Sequence, residues 1–149
     1  MSELALLFVQ LVSTLLMVGI IWFVQVVHYP LLVFVGAEHF GRYAQLHQSR
    51  TSLVVAGPML VEALSAIGLF VWFPPLRSSP AFLVAAVLLG LIWASTAWWQ
   101  VPLHQALARG YDERRIRSLV QTNWLRTLAW STRGVLISAI FWSAVASGA

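Results

Sequence analysis

The chain has 149 residues, of which 60% are hydrophobic and only 9% are charged. A water-soluble domain usually carries about 25% charged residues, so this composition excludes an ordinary soluble enzyme and predicts an integral membrane protein. The net charge of +4 comes from nine basic residues, all arginine, and five acidic residues. Because arginines commonly flank membrane spans, we expect a lipid bilayer and no nucleic acid as the partner. The absence of cysteine excludes disulfides, thiolate metal ligands and a cysteine nucleophile.

Four segments are long and apolar enough to cross a bilayer, at about residues 4–27, 52–73, 81–101 and 128–146. The first has no basic residue before its apolar run, and the run is too long for a signal peptide, so we expect it to stay as a span. The proline-rich PPLRSSP forms a tight turn between the second and third spans. We predict an all-α fold, with residues 1–149 forming a single domain that is an antiparallel four-helix transmembrane bundle.

The segments between the spans differ in arginine content, which predicts the topology. Residues 28–51 and 102–127 hold most of the arginines, whereas the second connection has only Arg77. We therefore expect these two segments to be cytoplasmic and both termini to lie outside, in a bacterial inner membrane. GAEHFGRYAQLHQSR reads as a helical extension of the second span. Asp112 is the expected N-cap of a helix that runs into the fourth span, after a stop at Arg109–Gly110.

Each predicted span carries one polar stripe at helical spacing, as expected if all four helices line a common interior. Most of the polar residues lie towards the arginine-rich side, so we expect a pocket near the cytoplasmic face. Hydrogen bonds that only hold the helices together are the alternative explanation for the Gln, Ser and Thr positions. The residues in these stripes include Gln10, Thr14, Gln25, His28, His47, Thr51, Glu62, Ser65, Trp93, Thr96, Gln100, His104, Asn123, Arg126, Thr127 and Trp130.

Glu62 is the one acidic residue inside a predicted span. A charge at that depth costs roughly 2.5–3.5 kcal/mol on insertion scales. Arg133 lies at a similar depth in the fourth span, so we predict an ion pair between the two. The pair is either purely structural or part of a group that handles protons.

Three histidines, His28, His47 and His104, come from three different helices and could together hold a transition metal. Neither a Glu-x-x-His pair nor an H-E-x-x-H motif accompanies them. Glu62 lies about 22 Å along the helix from His47, too far for both to bind one ion. Interfacial histidines that face water or head groups are the alternative, so the cofactor is either absent or a histidine-bound metal. Two tryptophans on the polar stripes, Trp93 and Trp130, could form a pocket wall with Gln100 for a flat apolar substrate, or could simply pack.

The sequences TAWWQVPLHQALARG at Thr96–Gly110 and NWLRTLAWSTRGVL at Asn123–Leu136 resemble a family of small four-helix membrane proteins that includes the fungal anthrone oxygenases. The four-span layout agrees over nearly the whole chain. The family usually has Pro-x-Asn where this chain has Pro102, Leu103 and His104. The resemblance implies oxygenation of an activated aromatic carbon by dioxygen, without an evident cofactor.

This resemblance suggests a mechanism for a hydrophobic or aromatic substrate. His104 or His28 would act as general base, and Arg126 or Asn123 would stabilise the resulting enolate or phenolate. Glu62 would tune the base or carry its proton. Two other classes of function stay open. One is a binding or assembly subunit that would use its arginine-rich rim; in any of these classes the protein could be a homo-oligomer. The other is a proton or metal-ion transporter that uses Glu62.

Overall fold

A computed structural model describes residues 2–148. It contains four long helices and one short one. Their bounds are α1 Glu3–Phe34, α2 Ala37–Trp72, α3 Pro74–Arg77, α4 Pro80–Leu107 and α5 Glu113–Ser147. Helices α1, α2, α4 and α5 are long and apolar enough to cross a membrane. The predicted all-α, four-span antiparallel bundle is confirmed.

Each predicted span lies within one long helix, except that α2 ends one residue before Phe73. The helices extend well beyond the spans. A 36-residue helix such as α2 is about 54 Å long, whereas the hydrocarbon core is only about 30 Å thick. The predicted extension of the second span is therefore confirmed. Segments 28–51 and 102–127 are mostly helical, and only residues 35–36 and 108–112 connect the helices at this end.

The helix ends follow ordinary capping chemistry. The Asp112 carboxylate accepts a hydrogen bond from the backbone N–H of Arg115 at 3.1 Å, so the predicted N-cap of α5 is confirmed. At the opposite end, the Arg77 side chain donates to the carbonyl oxygens of Phe70 and Val71, each at 2.6 Å. Arg77 thus satisfies carbonyls that the last turn of α2 leaves without helical partners.

Two of the long helices contain a π-helical turn at the arginine-rich end, Val24–His28 in α1 and Thr96–Gln100 in α4. Each turn ends two residues before a proline, Pro30 or Pro102. A proline lacks the N–H for a helical hydrogen bond and its ring clashes with the preceding turn, and a π turn accommodates that clash with one extra residue. The turns consequently change which side chains face the bundle interior beyond them.

Helix α1 packs against α2 and α5, and α5 also packs against α4. Helices α2 and α4 contact each other through Val101–Leu107, near the arginine-rich end. Three apolar clusters follow one another along the bundle, centred on Phe40 and Leu107, on Ile92 and Trp130, and on Leu7 and Leu69. Polar side chains are buried among these clusters in two networks.

Candidate functional site

The first buried network surrounds Glu62, which is fully buried. Its carboxylate accepts hydrogen bonds from Thr14 Oγ1 at 2.8 Å, Trp130 Nε1 at 3.0 Å and Arg133 Nε at 2.7 Å. The contact with Arg133 is the ion pair predicted from the depths of the two residues. Arg133 also donates to the carbonyl oxygen of Ala85. The carboxylate therefore connects α1, α2 and α5, and the guanidinium connects them to α4.

Neighbouring side chains extend this network between α1 and α2. Ser65 Oγ donates to Gln10 Oε1 at 2.7 Å, and Gln10 Nε2 donates to Thr14 Oγ1 at 3.2 Å. All four side chains, Gln10, Thr14, Glu62 and Ser65, are buried. Buried polar groups with satisfied hydrogen bonds hold helices in a fixed register. We call the hydrogen bonds around Glu62 the lower network, and we expect it to act as a structural anchor.

The second network contains the three histidines at the arginine-rich end. The His28 and His47 rings are stacked, with centroids 4.2 Å apart and planes at 24°. The centroids of His47 and His104 are 5.5 Å apart. Thr51 Oγ1 lies 3.1 Å from His47 Nδ1. The predicted clustering of these residues from three helices is therefore present.

The cluster does not fit the predicted metal site. Imidazole nitrogens bind a metal through lone pairs in the ring plane, and the lone pairs of two stacked rings do not converge on one point between them. Within residues 2–148, no group of three or more His, Asp or Glu side chains could hold a metal ion.

Tyr29 is a site residue that the sequence analysis missed. Its hydroxyl lies 2.8 Å from His104 Nε2, and its side chain is buried. If the polar stripe of the first span continued at regular α-helical spacing, His28 would face the bundle interior. The π-helical turn at Val24–His28 instead brings Tyr29 to that position. The available signal was Pro30, which follows Tyr29 and disturbs the helical spacing before it.

Arg126 is 7% exposed and belongs to the same network. Its Nη1 donates to Asn123 Oδ1 at 3.1 Å, and Asn123 Nδ2 donates to Gln25 Oε1 at 2.8 Å. Its guanidinium carbon lies 5.0 Å from the ring centroid of Trp130, a cation–π contact. No carboxylate among residues 2–148 forms an ion pair with it. Burial of a cation without a counter-ion is costly, so this guanidinium favours an anionic or strongly accepting ligand.

A cavity of about 110 Å³ joins these groups near the arginine-rich end of the bundle. Its polar lining includes Tyr29, His47, Gln100, His104 and Arg126. Two further lining residues, Ser52 on α2 and Val101 on α4, are exposed, so the cavity opens sideways between these helices.

Three polar atoms of the lining residues are buried without a hydrogen-bond partner among residues 2–148. They are His47 Nε2, Gln100 Oε1 and Arg126 Nε. Buried polar groups are nearly always paired, and such an atom costs about 1–3 kcal/mol if it stays unpaired. The cavity therefore offers donors and an acceptor to a small polar group.

Several predicted site residues lie outside this cavity. Asn123 contacts Arg126 and Gln25 and therefore positions the guanidinium. Glu62 is separated from the cavity by Trp130, which contacts Glu62 on one side and Arg126 on the other. Trp130 was expected to form a pocket wall, but it does not line the cavity and instead links the two buried networks. Trp93 is 38% exposed, and neither it nor His28 lines the cavity, because their helical faces point elsewhere.

Comparisons of the chain with protein-family models, with curated proteins and with solved structures find no significant match.

Proposed function

We propose that the protein is a membrane enzyme that binds a lipid-soluble molecule through a carbonyl or acidic hydroxyl oxygen and removes a proton from it. One observation carries the proposal. The buried, carboxylate-free guanidinium of Arg126 lines the same cavity as the hydrogen-bonded pair of Tyr29 and His104. An anion-stabilising group next to a proton-transfer pair is the arrangement that proton abstraction beside a carbonyl requires.

The size of the cavity limits how such a substrate binds. A cavity of 150 Å³ is known to accommodate one benzene molecule, so the 110 Å³ here accepts only the reacting end of a larger aromatic. The remaining rings would lie in the opening between α2 and α4, beside Ser52 and Val101. A substrate that enters from the bilayer needs no aqueous route to reach this opening.

Two groups would carry the first step. The substrate oxygen would accept a hydrogen bond from Arg126, whose charge stabilises the enolate or phenolate that forms. His104 would receive the proton, and its 2.8 Å contact with Tyr29 provides a path by which the proton can leave. The direction of that hydrogen bond depends on the tautomer of His104. Asn123 would act as a positioning residue through Arg126.

Oxygenation is the second step that the family resemblance implies. A doubly activated CH₂ carbon would lose one proton to His104, and the carbanion would add dioxygen and recover a proton as a hydroperoxide. Loss of water from the hydroperoxide then leaves a carbonyl group. Dioxygen is the oxidant and supplies both the new carbonyl oxygen and the oxygen of the water.

Anthrone, an aromatic ketone with an acidic CH₂ group, is a suitable probe for this proposal. We expect purified protein in lipid nanodiscs to accelerate dioxygen uptake in the presence of anthrone, with one water and one quinone formed per dioxygen. General acid–base catalysis typically contributes 10²–10⁴-fold, so His104→Ala and Tyr29→Phe should each lower the rate by about 10²-fold or more.

His39→Ala is the matched control, because His39 is exposed and lies outside the cavity. It should leave the rate unchanged. Equal rates for wild type, His104→Ala and Tyr29→Phe would refute the assigned proton-transfer pair. A protein that binds anthrone but never accelerates dioxygen uptake would instead be a binding subunit.

A further inference from the structure

A second concave surface lies on the outside of the bundle, between α1 and α2. It is a groove of about 580 Å³. One end is polar and lined by His28, His47, Arg50 and Thr51, and the rest is apolar. The apolar residues are Leu15, Leu16, Gly19, Ile20, Phe23, Val24, Val54 and Val55. We call this surface the α1–α2 groove. Tyr29, His104 and Arg126 do not line it, although His47, Thr51 and Val55 line both the groove and the cavity.

The polar end of the groove favours an anion. Arg50 is exposed and forms no ion pair with any carboxylate among residues 2–148. The stacked rings of His28 and His47 line the same end of the groove. No acidic residue lines the groove. An exposed arginine with no acidic residue among its neighbours in the groove lining provides hydrogen bonds and charge for a phosphate group.

The apolar part has the length of an acyl chain. On α1 it runs from His28 down to Leu15, 13 residues apart in sequence, which corresponds to about 20 Å along the axis. Half of the hydrocarbon core is about 15 Å thick, so the groove reaches from the arginine-rich interface to about the middle of the bilayer. Gly19 opens its floor, since a Cβ atom there would meet no atom within 4 Å.

We propose that the α1–α2 groove binds one anionic phospholipid of the surrounding leaflet. Its phosphate contacts Arg50, and one acyl chain lies along Leu16, Gly19 and Phe23. Basic pockets between membrane helices bind anionic head groups in this way. The matching positions of charge and apolar surface favour a phospholipid over a neutral lipid or a helix of a second copy.

The test uses the full-length protein in nanodiscs made from equal parts of palmitoyl-oleoyl-phosphatidylglycerol and palmitoyl-oleoyl-phosphatidylcholine. The protein is then transferred to detergent, and the retained lipid is counted by native mass spectrometry. Wild type should retain one phosphatidylglycerol in preference to phosphatidylcholine. One arginine near a membrane surface changes anionic lipid binding by about five-fold, so Arg50→Gln should lower phosphatidylglycerol retention by about that factor.

Two pairs of variants make the result specific to the groove. Arg42→Gln removes another exposed arginine from the same end, but Arg42 does not line the groove. Gly19→Leu fills the floor, and Gly57→Leu adds the same side chain at an α2 glycine with equally open surroundings outside the groove. Arg50→Gln and Gly19→Leu should reduce retention, whereas Arg42→Gln and Gly57→Leu should not.

Three results would overturn the proposal. Equal retention of the two lipids in wild type would show that charge plays no part. An equal loss of phosphatidylglycerol retention in Arg50→Gln and Arg42→Gln would show that the whole arginine-rich end attracts anionic lipid without a specific site. A second copy of the chain in place of lipid, seen as a dimer that Gly19→Leu disrupts, would show that the groove is a protein interface.

Discussion

Replacement of Glu62 by Gln tests the structural anchor in the lower network. The substitution removes the charge that compensates Arg133, whose Nη2 already has no hydrogen-bond partner within the described chain, residues 2–148. Removing one partner of a buried ion pair typically costs 3–5 kcal/mol. Domains are stable by only about 5–15 kcal/mol in total, so Glu62→Gln should remove about a fifth or more of the free energy of unfolding. Arg133→Met should cost a similar amount, because it leaves a buried carboxylate.

The double variant Glu62→Gln/Arg133→Met separates the charge effect from simple loss of contacts. With both charges removed, neither is left uncompensated, so the double variant should be more stable than the sum of the single losses predicts, by about 0.5–3 kcal/mol. The assay is equilibrium unfolding in mixed micelles with increasing SDS, followed by tryptophan fluorescence. Glu38→Gln, at an exposed position, is the control and should unfold like wild type.

An unchanged unfolding midpoint for Glu62→Gln would refute the structural role of the lower network. The same variant decides the transporter alternative, because a relay glutamate is needed for flux but not for folding. If Glu62→Gln kept its stability and abolished pH-driven proton uptake in liposomes, Glu62 would be a relay. The three donors around the carboxylate, Thr14, Trp130 and Arg133, lead us to expect the opposite result.

Three further predictions address the helix cap, the topology and the positioning of Arg126. Asp112→Ala should destabilise the protein by about 1 kcal/mol in the same unfolding assay, since it removes the N-cap of α5; no shift would mean that the cap contributes nothing. Because the chain has no cysteine, the exposed positions Ser49→Cys and Ser78→Cys can be labelled individually in intact cells. A membrane-impermeant maleimide should label only Ser78→Cys, and labelling of Ser49→Cys alone would reverse the proposed topology. Asn123→Ala should raise the KM for anthrone more than it lowers kcat, because it loosens Arg126; a loss confined to kcat would contradict a positioning role.

The sequence predicted the bundle because its signals are local. Apolar runs of about 20 residues define spans, and Asp112 followed by a helical pattern defines a cap. The Glu62–Arg133 pair was also predictable, since both residues needed a charge partner at similar depth. These inferences depend on residue type and on distance along one helix, which a sequence gives directly.

The details of the cavity were less predictable because two π-helical turns alter the spacing near Pro30 and Pro102. A regular stripe predicts His28 inside the bundle, whereas the structure brings Tyr29 to the cavity and leaves His28 lining the α1–α2 groove. Trp93 shared a predicted stripe with Gln100, but the turn at Thr96–Gln100 separates their faces, and only Gln100 lines the cavity. Helical periodicity cannot reveal such a shift unless the prolines are taken into account.

The most direct test of the proposed site is the dissociation constant of anthrone for wild type and Arg126→Gln in nanodiscs, measured by isothermal titration. No carboxylate among residues 2–148 pairs with Arg126 and would be left uncompensated, so the substitution should spare the fold, which the unfolding midpoint checks. A hydrogen bond to a charged group contributes about 1.5–3 kcal/mol, so we predict binding that is about 10- to 150-fold weaker in the variant. Equal affinities of the two folded proteins would contradict the assignment of Arg126 as the group that holds the substrate oxygen.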